Sequence, residues 1–406
     1  MAMKAMKNSR RGSSAVFLSL ILAALMSVTL AMVYSVKASS VSACADGIID
    51  LACESVMSEF DHRVQKEYGL FMIKGTDREL AGRIDHYLDY TFKGMKNVRK
   101  ESVSITAARF PMSDIALTRT QILECMKFME VNELLKKAAA DKKTDTNDMQ
   151  ERKLQHGPTI ASLPSSQVPE KGLTALASSI GDKASDVKEV FKEGSENYLM
   201  NQYITMHFNN RTEAVNKEHF FKNEVEYILG GKLTDRKNER KVKIAVEAMR
   251  FPPNLAHIYS DPKKKAEVLA AAELITPGAG AATQLAVAST WAYAESANDV
   301  KLLWMGRKVP MVKDKDSWAT DIDGAVKGAQ TGVMMPDVEK GYTYEQYLEI
   351  LLFFKDDNVK TARVLDLIQI NMRKNRDRRF LINEHSAGIA AEVRVNGRTY
   401  SYEKKY

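Results

Sequence analysis

The sequence predicts an α+β protein. An N-terminal transmembrane helix continues into a long external helix, followed by a helix-rich domain with a small, mainly antiparallel sheet. Three observations carry this. Residues 12–36 contain no Asp, Glu, Lys or Arg, and about 20 apolar residues rising about 1.5 Å each cross a hydrocarbon core of roughly 30 Å. Most apolar residues beyond them recur at helical spacing, and strand-like alternation is confined to short stretches. At 406 residues and 45% hydrophobic content the chain can bury a substantial core, which excludes a disordered protein.

Lys4, Lys7, Arg10 and Arg11 precede the span and only Lys37 follows it closely. Cations concentrated at one end hold that end in the cytoplasm, so 1–11 reads as a cytoplasmic basic segment, 12–36 as the span and the rest as extracellular. The same four cations supply much of the formal net charge of +7, which removes most of the case for nucleic acid as a partner. Val41-Ser42-Ala43 before Cys44 resembles a processing site. The apolar run is far longer than a signal peptide's roughly 7–15 residues, however, and a retained anchor is expected.

After Val36, Ile48, Ile49, Ala52, Val56, Phe60 and Val64 keep a helical period, with no Pro before Tyr68. A continuous rod from Ala15 to Tyr68, capped at Gly69, would be about 80 Å long. Its juxtamembrane segment is small-sided, and Ala38, Ser42, Ala45 and Gly47 are the candidate residues for packing against a partner helix. The competing reading is a juxtamembrane helix with little to bury.

Residues 37–140 are read as the stalk and the first part of the extracellular domain. Asp77–Phe92 is expected to be a helix, 102–110 a strand ending at Pro111, and a helix capped by Ser113-Asp114 to run to Ala139. Residues 141–197 lack a sustained period and read as a flexible linker or insertion, in which a cut should leave folded pieces. Within 198–406, helices are expected over 197–210, 218–229, 234–250 (halted by Pro252-Pro253), from Pro262 to Thr276, over 281–305, and from a Thr343–Gln346 capping box onward. Asp356-Asp357 separates that last helix from another over 359–372. Residues 307–312 read as an edge strand, 380–383 as a strand, and 392–402 as a hairpin turning at Asn396-Gly397.

No catalytic, cofactor-binding or metal site emerges, and no cofactor is implied. The seven histidines show no ligand spacing and there is no CxxC or Gly-x-Ser-x-Gly. Cys44 and Cys53 on one helix lie about 13.5 Å apart on opposite faces, beyond the roughly 7 Å reach of a disulfide, and Cys125 reads as a buried thiol. Gly230-Gly231-Lys232 and Gly278-Ala-Gly280 read as helix ends rather than phosphate loops. Glu345/Glu349 or Asp356/Asp357 could serve glycan hydrolysis only at a separation that sequence does not report. The run Arg373, Lys374, Arg376, Arg378, Arg379 reads as cations complementing a helix C-terminus. Trp291 and Trp304 read as core.

Arg10-Arg-Gly-Ser-Ser-Ala-Val-Phe-Leu resembles the start of TadE/TadG-like proteins of tight-adherence (Tad) pilus loci. Asn223-Glu-Val-Glu-Tyr-Ile-Leu-Gly-Gly-Lys, Trp291-Ala-Tyr-Ala-Glu-Ser, Asp299-Val-Lys-Leu-Leu, Gly306-Arg-Lys-Val-Pro and Arg363-Val-Leu-Asp-Leu-Ile-Gln resemble an uncharacterised family of single-pass surface proteins of Gram-positive, mainly clostridial, bacteria. The resemblance implies a pseudopilin-like assembly protein with other pilus or secretion subunits, or further copies of itself, as partners. Phe17 stands where a prepilin-peptidase substrate has Glu, so no such processing is expected. The alternative, of a different class, is a membrane-anchored cell-wall-active enzyme or surface-polymer binder.

Overall fold

The computed structural model describes residues 9–95, 97–136, 146–155, 157–170, 172–182, 195–278, 280–328, 333 and 341–406. The chain forms two compact units. The first comprises Met1–Phe60, Ile73–Phe110 and Gly388–Tyr406, and the second Asp61–Met72 and Pro111–Ala387. The fold is mostly helical with a small antiparallel sheet, as expected, but the C-terminal hairpin belongs to the first unit rather than to the helix-rich remainder. Its strand pairs with one from the N-terminal quarter of the chain.

The first unit is built on α1 (Ser9–Met57), one unbroken helix. Between Ser14 and Met57 it is long and apolar enough to cross a membrane, and its apolar window is covered by none of the described residues. The rest of the unit comprises β1 (Ile73–Lys74), α3 (Asp77–Phe92), β2 (Lys100–Thr106), β4 (Gly388–Val395) and β5 (Arg398–Lys405), with elements numbered along the chain. The sheet order is β2-β4-β5, all antiparallel, with a register irregularity between Lys100 and Ser102. Asn396 (φ 50°) and Gly397 (φ 78°) give the hairpin the two left-handed residues its tight turn needs. Thr76 and Glu79 form a capping box that starts α3.

The unit's core follows from spacing. Ala45, Ile49, Ala52, Cys53 and Val56 on α1 and Leu80, Ile84 and Leu88 on α3 are buried with Ile105, Ile389, Ala391, Val393 and Val395 of the sheet. Beside that seam runs a polar ladder. Tyr400 bonds Ser42, Tyr402 bonds Asp46, Lys404 pairs with Asp50 and Glu54, and the Tyr406 hydroxyl donates to the Met57 carbonyl. Four helical residues advance about 6 Å and two strand residues about 6.7 Å, so the two periods stay in step along the contact.

The expected rod to Tyr68 is corrected: α1 ends at Met57, and α2 (His62–Tyr68) starts afresh in the second unit. The Asp61 side chain accepts the N–H groups of Arg63 and Val64, a helix start that the period in Phe60 and Val64 concealed. Gly69 does cap α2 in the left-handed conformation. Part of the basic segment, including Lys4 and Lys7, lies outside the described residues, as does the expected helix end at Ala139.

The second unit is helical apart from β3 (His385–Ser386). Its elements are α4 (Ile115–Lys136), α5 (Pro158–Ala161), α6 (Leu173–Gly181), α7 (Glu196–His207), α8 (Glu224–Gly230) and α9 (Asp235–Ser260). They continue with α10 (Pro262–Ile275), α11 (Ala281–Trp304), α12 (Ile322–Lys327), α13 (Tyr344–Phe354) and α14 (Asp357–Asn375). Every residue of α8 is buried, and so is every residue of α14 from Val359 to Met372. A satellite core of Ile258, Val268, Ala272, Val287, Ala288, Trp291, Ala292 and Ala325 joins α9 to α12. The capping box at Thr343–Gln346 and the helix start at Asp261-Pro262 form as expected, and Asp356 caps α14.

Five expectations in this unit are corrected. Pro252 and Pro253 lie inside α9, which runs on to Ser260. A Cβ on Gly181 of α6 would stand 2.4 Å from the Met249 carbonyl oxygen, so the proline turn is closely covered by a residue with no side chain. Residues 146–182 are not a free linker where described. Leu154, Leu163, Leu173, Ala177 and Ile180 belong to the main core, and Leu154 and Lys153 bond across to 233–234; 141–145 and 183–194 lie outside the described residues. The expected helix over 218–229 begins only at Glu224, because Asn371 and Asp235 hold the backbone N–H groups of Phe220, Lys222 and Asn223. Finally, 307–312 contributes a single bridge, Val309 to Tyr342, and 380–383 ends in a 3-10 turn over Ile382–Glu384 rather than a strand.

The C-terminus of α8 is closed by charge. Arg363 donates to the carbonyls of Ile228 and Leu229, Lys355 to Leu229 and Lys241 to Gly230, while Glu170 pairs with all three cations. Gly231 follows at φ 64°, and a Cβ there would meet the Arg363 guanidinium at 2.1 Å. Gly231→Ala is expected to destabilise the second unit by about 2 kcal/mol or more, combining backbone strain with displacement of Arg363. All three tryptophans lie in this unit, so tryptophan fluorescence during urea unfolding of the full chain in detergent measures it.

Candidate functional site

The site that sequence pointed to is the small-sided segment 38–47 of α1, and the structure divides its four residues between two faces. Residues 38, 42 and 45 fall within about 60° of each other around the helix, whereas 47 lies about 180° from 38. Ala45 is buried on the sheet and Ser42 is engaged by the hairpin, so neither forms a free partner surface. Ala38 is exposed at the rim of a groove, and Gly47 is exposed with nothing within 4 Å of a Cβ placed on it. The face left open is Ser40, Ala43, Cys44 and Gly47, all exposed and all small. The expectation of one packing face through Ala38, Ser42, Ala45 and Gly47 is therefore corrected. The sheet claims half of it, which α1 alone could not reveal.

Between α1 and the hairpin turn lies a groove of about 490 Å³. Tyr34, Lys37, Ala38 and Val41 line it from the helix, and Asn97, Asn396, Arg398 and Tyr400 from the opposite wall. Arg398 Nη1 donates to Ser42 Oγ at 2.9 Å, and Ser42 Oγ lies 2.8 Å from the Tyr400 hydroxyl. Asn396 fixes the wall by accepting the Arg99 N–H and donating to the Asn97 carbonyl. Sequence reasoning missed this groove. The available signal was the alternation Arg398, Tyr400, Tyr402 after a tight turn, the pattern of one strand face made to cover a small-sided helix.

In the second unit the chemistry-bearing groups are committed to one another. Arg250, Asp299, Glu295 and Lys313 are all fully buried: Arg250 Nε donates to Asp299 at 2.9 Å, and Lys313 pairs with Asp299 at 2.6 Å and with Glu295. Glu295 also accepts the N–H groups of Ala319 and Thr320, fastening the 311–320 segment to α11. His219 lies between two carboxylates, with Nδ1 2.7 Å from Glu224 Oε2 and Nε2 3.1 Å from Glu67 Oε1. Burial alone would lower its pKa, but Glu224 and Glu67 together lift it to about 9. Burial raises Glu226 to about 7 and Asp235 and Asp366 to about 6, even though backbone N–H groups bond each of them.

The carboxylate pairs singled out for hydrolysis are likewise in use. Asp356 caps α14, Asp357 pairs with Arg119 and Lys360, and Glu349 accepts from Gln202. In the basic run, Arg373 and Lys374 donate to the carbonyls of Phe380, Glu218 and His219. Trp291 is buried and Trp304 half-buried under Arg211. Cys44 is exposed, Cys53 buried and Cys125 half-buried rather than enclosed, and all three are free thiols. Among the described residues, no three or more His, Cys, Asp or Glu are grouped to hold a metal ion.

Residues 119–397 match a family of unknown function, DUF5702. The chain belongs to this family. The matched region begins within α4 and ends at the hairpin turn, so it contains α8, α9, α11 and α14 and leaves out α1. No curated protein and no solved structure matches the chain.

Two measurements follow from these networks. Arg250→Leu leaves Asp299 and Glu295 sharing one buried cation and is expected to cost about 3–5 kcal/mol in tryptophan-monitored unfolding, with Arg250→Leu/Asp299→Leu recovering part of the loss. The folded pKa of His219 exceeds the unfolded value of 6.5. Its stabilisation is therefore complete below that pH and lost as pH rises through about 9, with a limit of about 3 kcal/mol. Above about pH 8.5 the raised carboxylates are almost fully ionised, so the remaining fall in unfolding midpoint should vanish in His219→Gln.

Proposed function

We propose that the protein is a membrane-anchored surface component acting structurally, as a pseudopilin-like (TadG-like) subunit of a tight-adherence pilus or secretion-like assembly in a Gram-positive bacterium. The N-terminus would be cytoplasmic and both units extracellular. The observation that carries this reading is the form of α1. Its uncovered apolar half passes without a break into the half that organises the first unit. Such a helix transmits position from the bilayer to a folded head, which suits a part that must be placed rather than one that must diffuse. The cation asymmetry around the span supports the orientation, and the resemblance around Arg10–Leu18 supports the Tad association.

The partner surface in this reading is the open small-sided face Ser40, Ala43, Cys44 and Gly47, where another helix could approach closely. The engagement of Asp356, Asp357, Glu349 and the Arg250 cluster within the second unit favours an assembly role over a wall-active enzyme.

Single-cysteine variants across 38–48, made in a background without the other native cysteines, test this by oxidative crosslinking in native membranes. Crosslinks at 40, 43, 44 and 47 to another subunit or a second copy, with none at 42 and 45, are expected. Inserted protein that crosslinks at none of these positions would sink the assembly reading.

A further inference from the structure

The groove beside α1 has the composition and the location of a lipid-headgroup site. Lys37 Nζ makes no hydrogen bond or ion pair among the described residues. Arg398 is exposed and spends one N–H on Ser42. No carboxylate is among the groove's described lining residues, so Lys37 and Arg398 face a positively charged concave space. By contrast, Lys241, Lys355 and Arg363 at the end of α8 and Lys313 beside Glu295 each have a carboxylate partner.

Location adds the second argument, which rests on the reading of α1 as a membrane span. The uncharged run ends at Val36. Its 25 residues extend about 37 Å, more than the roughly 30 Å hydrocarbon core, which puts Tyr34 to Ala38 in the headgroup layer. Tyr34 is 76% exposed, as expected for an aromatic belt residue. Arg398 sits at the level of Ser42, about 7.5 Å further along the helix axis from Lys37. A lipid phosphate held between them would receive a charge-assisted bond from each, with the Tyr400 hydroxyl and Asn97 alongside and the acyl chains running down the apolar face of α1.

We propose that this groove binds the phosphate headgroup of an anionic bilayer lipid, with Lys37 and Arg398 as its ligands. The bound lipid fixes the height of the first unit above the bilayer.

The full chain, reconstituted in phosphatidylcholine vesicles containing a minor share of phosphatidylglycerol, provides the test. Insertion is measured first by resistance to alkaline carbonate, and protein that washes free overturns the membrane reading and this proposal together. Inserted protein is then extracted in mild detergent, and its retained lipids are identified by native mass spectrometry. Phosphatidylglycerol should be enriched over phosphatidylcholine about tenfold or more. Lys37→Gln/Arg398→Gln should abolish the preference, while Arg378→Gln/Arg379→Gln, in the second unit, should leave it intact. Lys37→Gln alone removes no internal contact and should weaken the preference severalfold in a folded protein. Inserted wild-type protein that retains both lipids equally, or a groove double variant with undiminished preference, overturns the assignment. Loss of the preference on adding free glycerol phosphate would make the groove a soluble-anion site and equally overturn the bilayer source.

Discussion

Everything in the first unit depends on the agreement between one helical and one strand period where α1 meets β5. Ser42, Asp46, Asp50 and Glu54 recur every four residues, and Tyr400, Tyr402 and Lys404 every two, so each strand side chain finds a polar partner on the helix. A helix shifted by one residue would turn those partners by about 100° and lose the whole row at once. The apolar seam of Ile49, Cys53 and Val56 runs parallel to the row and is fixed by the same alignment. It follows that the small side chains around residue 42 are needed twice. Close approach of the hairpin requires them on one face, and the opposite face is left small and uncovered.

The second unit is organised by the reverse device, a helix with no free face. α8 carries Glu224 and Glu226 into the interior, where an apolar residue would ordinarily be expected, and each carboxylate is used to hold a loop. Glu224 accepts the Asn209 N–H and faces His219 and Asn371; Glu226 accepts the Arg211 N–H and the Tyr344 hydroxyl. Asp235 and Asp366 do the same for 152, 222–223 and Ser165. Buried polar groups of this kind add little net stability but heavily penalise any packing that leaves one unpaired. They specify which loop lies against which helix. The stretch around Glu224–Lys232 that looked like a family signature is, physically, this central fastener.

What could be read from the sequence was local. The caps at Thr76, Asp261, Thr343 and Asp356, the turn at Asn396-Gly397 and the apolar span each depend on residues within a few positions of one another. What could not be read was set at long range. Pro252 and Pro253 are kept in a helix beneath Gly181, some seventy positions earlier. Leu154, Leu163 and Leu173 lack a period because they are single anchors laid over helices, so a packed strap read as a linker. The site residues divided in the same way. Gly47 was recognisably small and exposed, but Ala45 and Ser42 are covered by a strand some 350 residues later in the chain, and only the fold makes Arg398 a neighbour of Lys37.

The distribution of committed charge separates structure from function in this protein. Arg250, Lys313, Arg363 and His219 are buried, and their charges are satisfied by carboxylates a few ångströms away. Disturbing them alters the fold before it alters anything else. Lys37 and Arg398 differ in both respects, since they are accessible and no carboxylate lies among the groove's described lining residues. Two exposed cations converging on a concave surface repel each other modestly, and a sheet that had no use for them would gain by substituting one. An anion arriving from outside the chain would offset that repulsion, and in the proposed reading of α1 as a membrane span a lipid headgroup is the anion at that height.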